Sequence, residues 1–173
     1  MKKTLDFESS HILSGNIDES NVETAMRWII DLNNKGVDSL VTLYINSEGG
    51  SVNDAFALAD MIRISKTPIG TVALGSLMSS AFLIFSSGFT SSRGVSKNTS
   101  IMMHQFNHEY NGKYHDMKSY AKELDRINDR MIELIHINSN LTEDDVKRII
   151  VTPTDSWFAA NELVNYGIAD YIF

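Results

Sequence analysis

The chain has 173 residues, 43% of them hydrophobic, which suffices for one domain with a core and is too short for two. Its 22 acidic and 15 basic residues leave a formal net charge of -7, which argues against nucleic acid or an anionic membrane surface as the main partner. With no cysteine, disulfides, thiolate metal sites and cysteine nucleophiles are excluded.

The N-terminal "MKKTLDFESSHILSG" lacks the continuous apolar run of a secretory signal, and no window approaches the roughly 18 apolar residues of a membrane span. The expectation is a soluble, cytoplasmic protein. "HILSG" reads as a short strand. In "DESNVETAMRWIIDLNNKG", Val22, Ala25, Met26, Ile29 and Leu32 share one helical face, Ser20 and Glu23 are spaced as a capping box, and Gly36 is the stop. "SLVTLYIN" is apolar with little alternation, as expected of a strand covered on both faces. "SEGGS" reads as a turn. Val52, Phe56, Ala59 and Met61 or Ile62 then mark an amphipathic helix ending before Pro68.

"IGTVAL" predicts the next strand, and "SSAFLIFSS" a helix apolar on all sides and therefore buried. "TSIMMHQF" is a further strand. Met117, Tyr120, Leu124, Ile127, Met131 and Leu134 recur at steps of three and four, the seam of a long amphipathic helix. "LTEDDVKRII" is a short helix capped by Thr142, "TPTDSW" a loop, "FAANELVNYG" a last helix and "IADYIF" a terminal strand. Strands and helices alternate throughout, so the fold class is α/β.

Three stretches bear on chemistry. In "INSEGGSV" two glycines between a strand and a helix allow positive φ and close backbone approach, beside the exposed N–H groups of a helix start. That suits an oxyanion, and it equally suits a plain tight turn. The lysine of a phosphate loop and the third glycine of a dinucleotide fingerprint are both missing, so nucleotide binding is disfavoured. In "GSLMSSAFLIFSSG" a serine opening a buried helix serves as an N-cap or as a nucleophile, and a nucleophile needs a base. Of His11, His104, His108, His115 and His136, His104 follows the apolar "SIMM", at the end of a core strand where functional groups of α/β sheets emerge. His104 and His108, four apart on a strand, lie about 13 Å from each other and cannot share a metal unaided. Asp155 lies in a loop beside Trp157, whereas Asp144 and Asp145 sit in a solvated helical turn, and spacing alone does not choose among the carboxylates.

Taken together, "LYINSEGGSV", "GSLMSSAFL", "IMMHQ" and "TPTDSWFAANELVNYGIAD" resemble, in order and interval, the glycine turn, nucleophile segment, histidine strand and aspartate loop of the proteolytic-subunit family of the Clp protease, and through it the crotonase-like superfamily. The likeness runs from about His11 to the C-terminus. It implies a crotonase/ClpP-like fold of repeated β-β-α units, one domain over residues 1–173, with a short N-terminal segment at 1–10 and a protruding handle at about 105–138. It implies a serine endopeptidase with Ser79 as nucleophile, His104 as general base and Asp155 as its orienter. The N–H groups of Gly50 and Ser80 would form the oxyanion hole, and the backbones of Val52 and Asn107 would hold a peptide as an added strand. No metal or organic cofactor is implied. The implied partners are peptides or unfolded proteins, further copies of the chain in a double heptameric ring interlocked by the handle, and a separate ATP-consuming Clp unfoldase.

The order Ser, His, Asp differs from those of α/β-hydrolases and of chymotrypsin-like and subtilisin-like enzymes, and no glycine-flanked elbow surrounds Ser79. The chain departs from the family pattern with Glu48 and Phe106 at usual proline positions and with a shorter segment before His11, which implies altered coupling to the unfoldase. Two other readings are a non-catalytic ring subunit, which would ordinarily lose triad residues, and a crotonase-type acyl-CoA enzyme. The serine and histidine motifs, the handle and the small size disfavour the second.

Overall fold

The computed structural model describes residues 9–106 and 112–173. The chain begins with strand β1 (Ser10–Ile17), helix α1 (Glu19–Asn34), strand β2 (Val41–Gly50), helix α2 (Val52–Ile64), strand β3 (Ile69–Met78) and helix α3 (Ser80–Ser86). Short strands β4 (Arg93–Val95) and β5 (Ser100–Met103) follow, then the long helix α4 (Tyr114–Ile137). A single turn α5 (Glu143–Asp145) runs into a wider π turn at Val146–Ile150, and β6 (Ser156–Phe158), α6 (Ala160–Asn165) and β7 (Tyr171–Ile172) complete the chain.

The fold is mixed α/β, as the alternating pattern predicts. Strands β1-β2-β3-β4-β7 form a parallel sheet. β3 divides its pairing: Thr71–Ala73 run beside β4, whereas Ser76–Met78 run beside β5, and β6 joins β5 antiparallel. The change of partner falls at Gly75, whose φ of +65° is open to glycine at little cost. Asn46 Oδ1 accepts the Ser76 N–H at 3.0 Å there, bridging the register shift between β2 and β3.

Burial along β2 corrects the expectation of a strand covered on both faces. Val41, Leu43, Ile45, Ser47 and Gly49 are buried, Thr42 and Tyr44 are half-buried, and Asn46 and Glu48 are exposed. The reason is that the packed helices leave one sheet face open, so β2 alternates as a one-sided strand does. On that open face Ile12, Tyr44, Leu74 and Phe173 line an apolar cavity of about 300 Å³. "SEGGS" is likewise no simple turn: both glycines belong to β2, paired alongside Asn16 and Ile17 of β1.

Helix α1 buries Val22, Ala25, Ile29 and Leu32 as the periodicity predicts, but its cap is Asp18, whose carboxylate accepts the Asn21 N–H at 3.0 Å. The Ser20–Glu23 capping box does not form: Glu23 is bonded instead to Arg27, one turn on. α3 is buried over its whole length. The hydroxyls of Ser86 and Ser87 at its end both donate to the Leu83 carbonyl, which is how polar side chains fit there. In α4 only Ile127, Met131, Ile132 and Ile135 are buried, and the first turns, with Tyr114 and Met117, stand exposed. The "TPTDSW" loop is shorter than expected, because Ser156–Phe158 pair with the edge of β5. β4, only three residues long, carries no periodic signal and is not foreseen from the sequence.

Arg93, 5% exposed, ties the C-terminal part together. Its guanidinium meets the Asp170 carboxylate at 2.8 Å and donates to the carbonyls of Asn138 and Gly167. Burial works against the ionised Asp170, but the hydrogen bonds and charge of Arg93 outweigh it and hold the carboxyl below its ordinary value. Among the described residues no helix is long and apolar enough to cross a membrane.

Candidate active site

Ser79 joins the end of β3 to the start of α3, with φ 53° and ψ -127°. A non-glycine residue in this region is strained by about 1–3 kcal/mol and is retained where its surroundings over-determine it. It holds the N-cap position, yet its side chain makes no capping hydrogen bond. Capping therefore does not account for this serine. Its N–H donates to the Met102 carbonyl of β5 at 2.9 Å, and its carbonyl accepts from Phe82, so both backbone sides of the turn are held.

This is a strained strand-to-helix elbow without flanking glycines. The room comes from across the sheet: a Cβ on Gly49 would lie 2.8 Å from both the Met78 oxygen and the Ser79 Cβ. A Cβ on Gly50 would lie 2.3 Å from the Ile17 oxygen. The two glycines thus answer two different close approaches, one to the serine elbow and one to β1. Glu48, beside them, is exposed.

Gly50, Val52, Ser79, Ser80, His104, Phe106 and Met131 line one small cleft, with a cavity of about 60 Å³. His104 directly follows β5, where its Nδ1 lies 2.6 Å from the Gln105 carbonyl oxygen. A carbonyl only accepts, so in this geometry Nδ1 carries the proton, and in the neutral ring Nε2 keeps the free lone pair. Gln105 N–H donates to the Thr152 carbonyl at 2.9 Å and Phe106 N–H to Asn128 Oδ1 at 2.7 Å, so the chain after His104 is pinned from the aspartate loop and from α4.

Asp155 is exposed, immediately before β6. The β5–β6 ladder pairs Ile101 with Phe158, Met102 with Trp157 and Met103 with Ser156. The ladder ends with that pair, and the next residues along the two strands are His104 and Asp155. The loop is held by Thr152, whose hydroxyl bonds the Thr154 carbonyl and the Ser156 hydroxyl. Among the described residues no hydrogen bond joins His104 to Asp155 or to Ser79; the Gln105 carbonyl occupies Nδ1. Asn107 and His108 lie outside the described residues.

Sequence reading missed Asn128 and Thr152, and of the two glycines it singled out for close backbone approach it named a role only for Gly50. Asn128 sits beside the apolar seam of α4, an amide where a solvated helix face would carry a charge, and that contrast is the only signal it offers. Thr152 looks like any threonine beside a proline until β6 is seen to pair with β5. The Clp protease family model matches residues 2–173. With that match over nearly the whole chain, and a mostly parallel α/β sheet carrying the motif residues, the chain belongs to the Clp protease family, a family of peptidases.

Proposed function

We propose that the chain is a serine endopeptidase hydrolysing peptides and unfolded proteins, with Ser79, His104 and Asp155 as its triad. The observation that carries this reading is the strained, non-capping Ser79 sharing a cleft with His104, Gly50 and Ser80. Ser79 Oγ attacks a peptide carbonyl while His104 Nε2 takes its proton. The N–H groups of Gly50 and Ser80 receive the oxyanion, a group that preorganised donors stabilise in a water-poor cleft. His104 then protonates the leaving amine, and water, deprotonated by the same nitrogen, hydrolyses the acyl-enzyme. The role of Asp155 is to replace the Gln105 carbonyl at Nδ1 and stabilise the imidazolium as it forms. The backbones of Val52 and Asn107 would align the peptide as an added strand.

Clp proteases generally act as oligomers, and the exposed first turns of α4 supply the surface for a double ring of the chain, fed by a Clp ATPase. A fluorophosphonate probe followed by peptide mapping tests the catalytic reading. An adduct on the Ser79 peptide, absent from Ser79→Ala, is the expected result, and no adduct on the assembled particle overturns it. The second reading, a non-catalytic ring subunit, is favoured by one observation, the His104 ring bonded to Gln105 with Asp155 exposed to solvent.

A further inference from the structure

One peptide unit beside the cleft is held at both of its ends. Its carbonyl is that of Gln105, 2.6 Å from His104 Nδ1, and its N–H is that of Phe106, which donates to Asn128 Oδ1 at 2.7 Å. The unit is trans and planar, so its C=O and N–H point in opposite directions and can only turn together. A side chain that holds the N–H therefore also aims the carbonyl.

Helix α4 gives Asn128 a firm base for this. Asn128 is half-buried between the buried Ile127 and Met131, and Met131, nearly one turn on, lines the cleft with His104 and Phe106. The preceding peptide unit is tied separately, through the Gln105 N–H to the Thr152 carbonyl. A turn of the 105–106 unit about its own axis leaves that tie in place. It would take the Gln105 carbonyl off the histidine and the Phe106 N–H off Asn128 in one movement. His104 Nδ1 carries a single proton, so an acceptor that already holds it stands in the way of a second one.

We propose that Asn128 is a positioning residue: by holding the Phe106 N–H it keeps the Gln105 carbonyl on His104 Nδ1, and its release hands Nδ1 to Asp155. This rests on the serine-peptidase reading and names what limits that activity. Turnover is scaled by the fraction of molecules in which Nδ1 is open to the carboxylate, and the Asn128 hydrogen bond lowers that fraction.

The test measures kcat and KM on a fluorogenic peptide, and the rate of fluorophosphonate labelling at Ser79, for the assembled wild type and Asn128→Leu. Leucine removes the acceptor at similar size and is the better helix former, and Asn128→Ala serves as a second variant free of any steric effect. Both are expected to raise kcat and the labelling rate about threefold to tenfold, the scale of one net hydrogen bond, with KM little changed. Asn128→Asp, which keeps an acceptor, is expected to stay at or below the wild type. In an Asp155→Ala background the sign is expected to reverse, because the Gln105 carbonyl then has no carboxylate to yield to and is itself what orients the ring. A merely structural role would lower activity in both backgrounds, and that outcome overturns the proposal. Labelling at Ser79 that Asn128→Leu and Asn128→Ala leave unchanged or slower sinks this inference alone. No labelling and no cleavage by any of these proteins sinks the peptidase reading and this inference with it.

Discussion

Two glycines with positive φ serve different ends. Gly36, after α1, has nothing within 4 Å of an added Cβ, whereas Gly49 would meet the serine elbow. Gly36→Ala is expected to cost about 1 kcal/mol through backbone strain alone and to leave peptide turnover unchanged. Gly49→Ala is expected to displace Ser79 and lower kcat by about 10²-fold or more, since small misplacements of a nucleophile are that expensive. Thermal unfolding together with peptide turnover separates the two. At Asp155 the question is what orients His104. Asp155→Asn is expected to lower kcat about 10³- to 10⁴-fold, the scale of an orienting carboxylate lost from a triad. A loss below tenfold, measured on a fluorogenic peptide, would mean that the Gln105 carbonyl orients the ring unaided.

At the scale of elements, α4 divides in two. Its C-terminal half is anchored by Ile127, Met131, Ile132 and Ile135, and Asn128 on the same half holds the Phe106 N–H beside the cleft. Its first turns expose Tyr114 and Met117. Met117→Asp is therefore expected to change the unfolding free energy of the fold by no more than about 0.5 kcal/mol, as for a surface site. Under the proposed double ring, sedimentation velocity is expected to show the same variant shifted to smaller species, because the exposed Met117 would lie in the contact between chains. Unaltered sedimentation would remove the first turns of α4 from the assembly surface. The β5–β6 pairing acts on the same scale, since its register is what carries the aspartate loop to the histidine strand.

Across the whole molecule, Arg93 and Asp170 join β4, the end of α4, the end of α6 and the approach to β7. Arg93→Met is expected to cost about 3 kcal/mol or more, because it strands a half-buried carboxylate and two carbonyls. The pair also sets an acid limit. Asp170 is depressed below its ordinary 3.8 in the folded protein, so the unfolded chain binds the proton first as pH falls. The stabilisation is thus fully present above the ordinary value and is lost as pH drops through the folded one. Urea unfolding between pH 6 and pH 3 is expected to show a steeper loss for the wild type than for Arg93→Met; parallel curves would assign the acid sensitivity to other groups.

The sequence by itself determined the α/β alternation, the helix faces and the buried α3, because hydrophobic periodicity is a local property that survives in one dimension; the motif residues of the cleft were named through the resemblance to the Clp protease family, since residue type and spacing left each of them more than one role. Tertiary structure alone decided that β2 has an open face, since which side the helices cover is settled by packing among α1, α2 and α3. It alone decided that Ser79 is an elbow and not a cap, since the room for its positive φ comes from Gly49, thirty residues away in the chain. The pairing of β5 with β6, whose last pair is followed by His104 on one strand and preceded by Asp155 on the other, and the unanswered hydroxyl of Ser80 belong to the same class. Each depends on which distant backbone lies alongside, and no local pattern of residues records that.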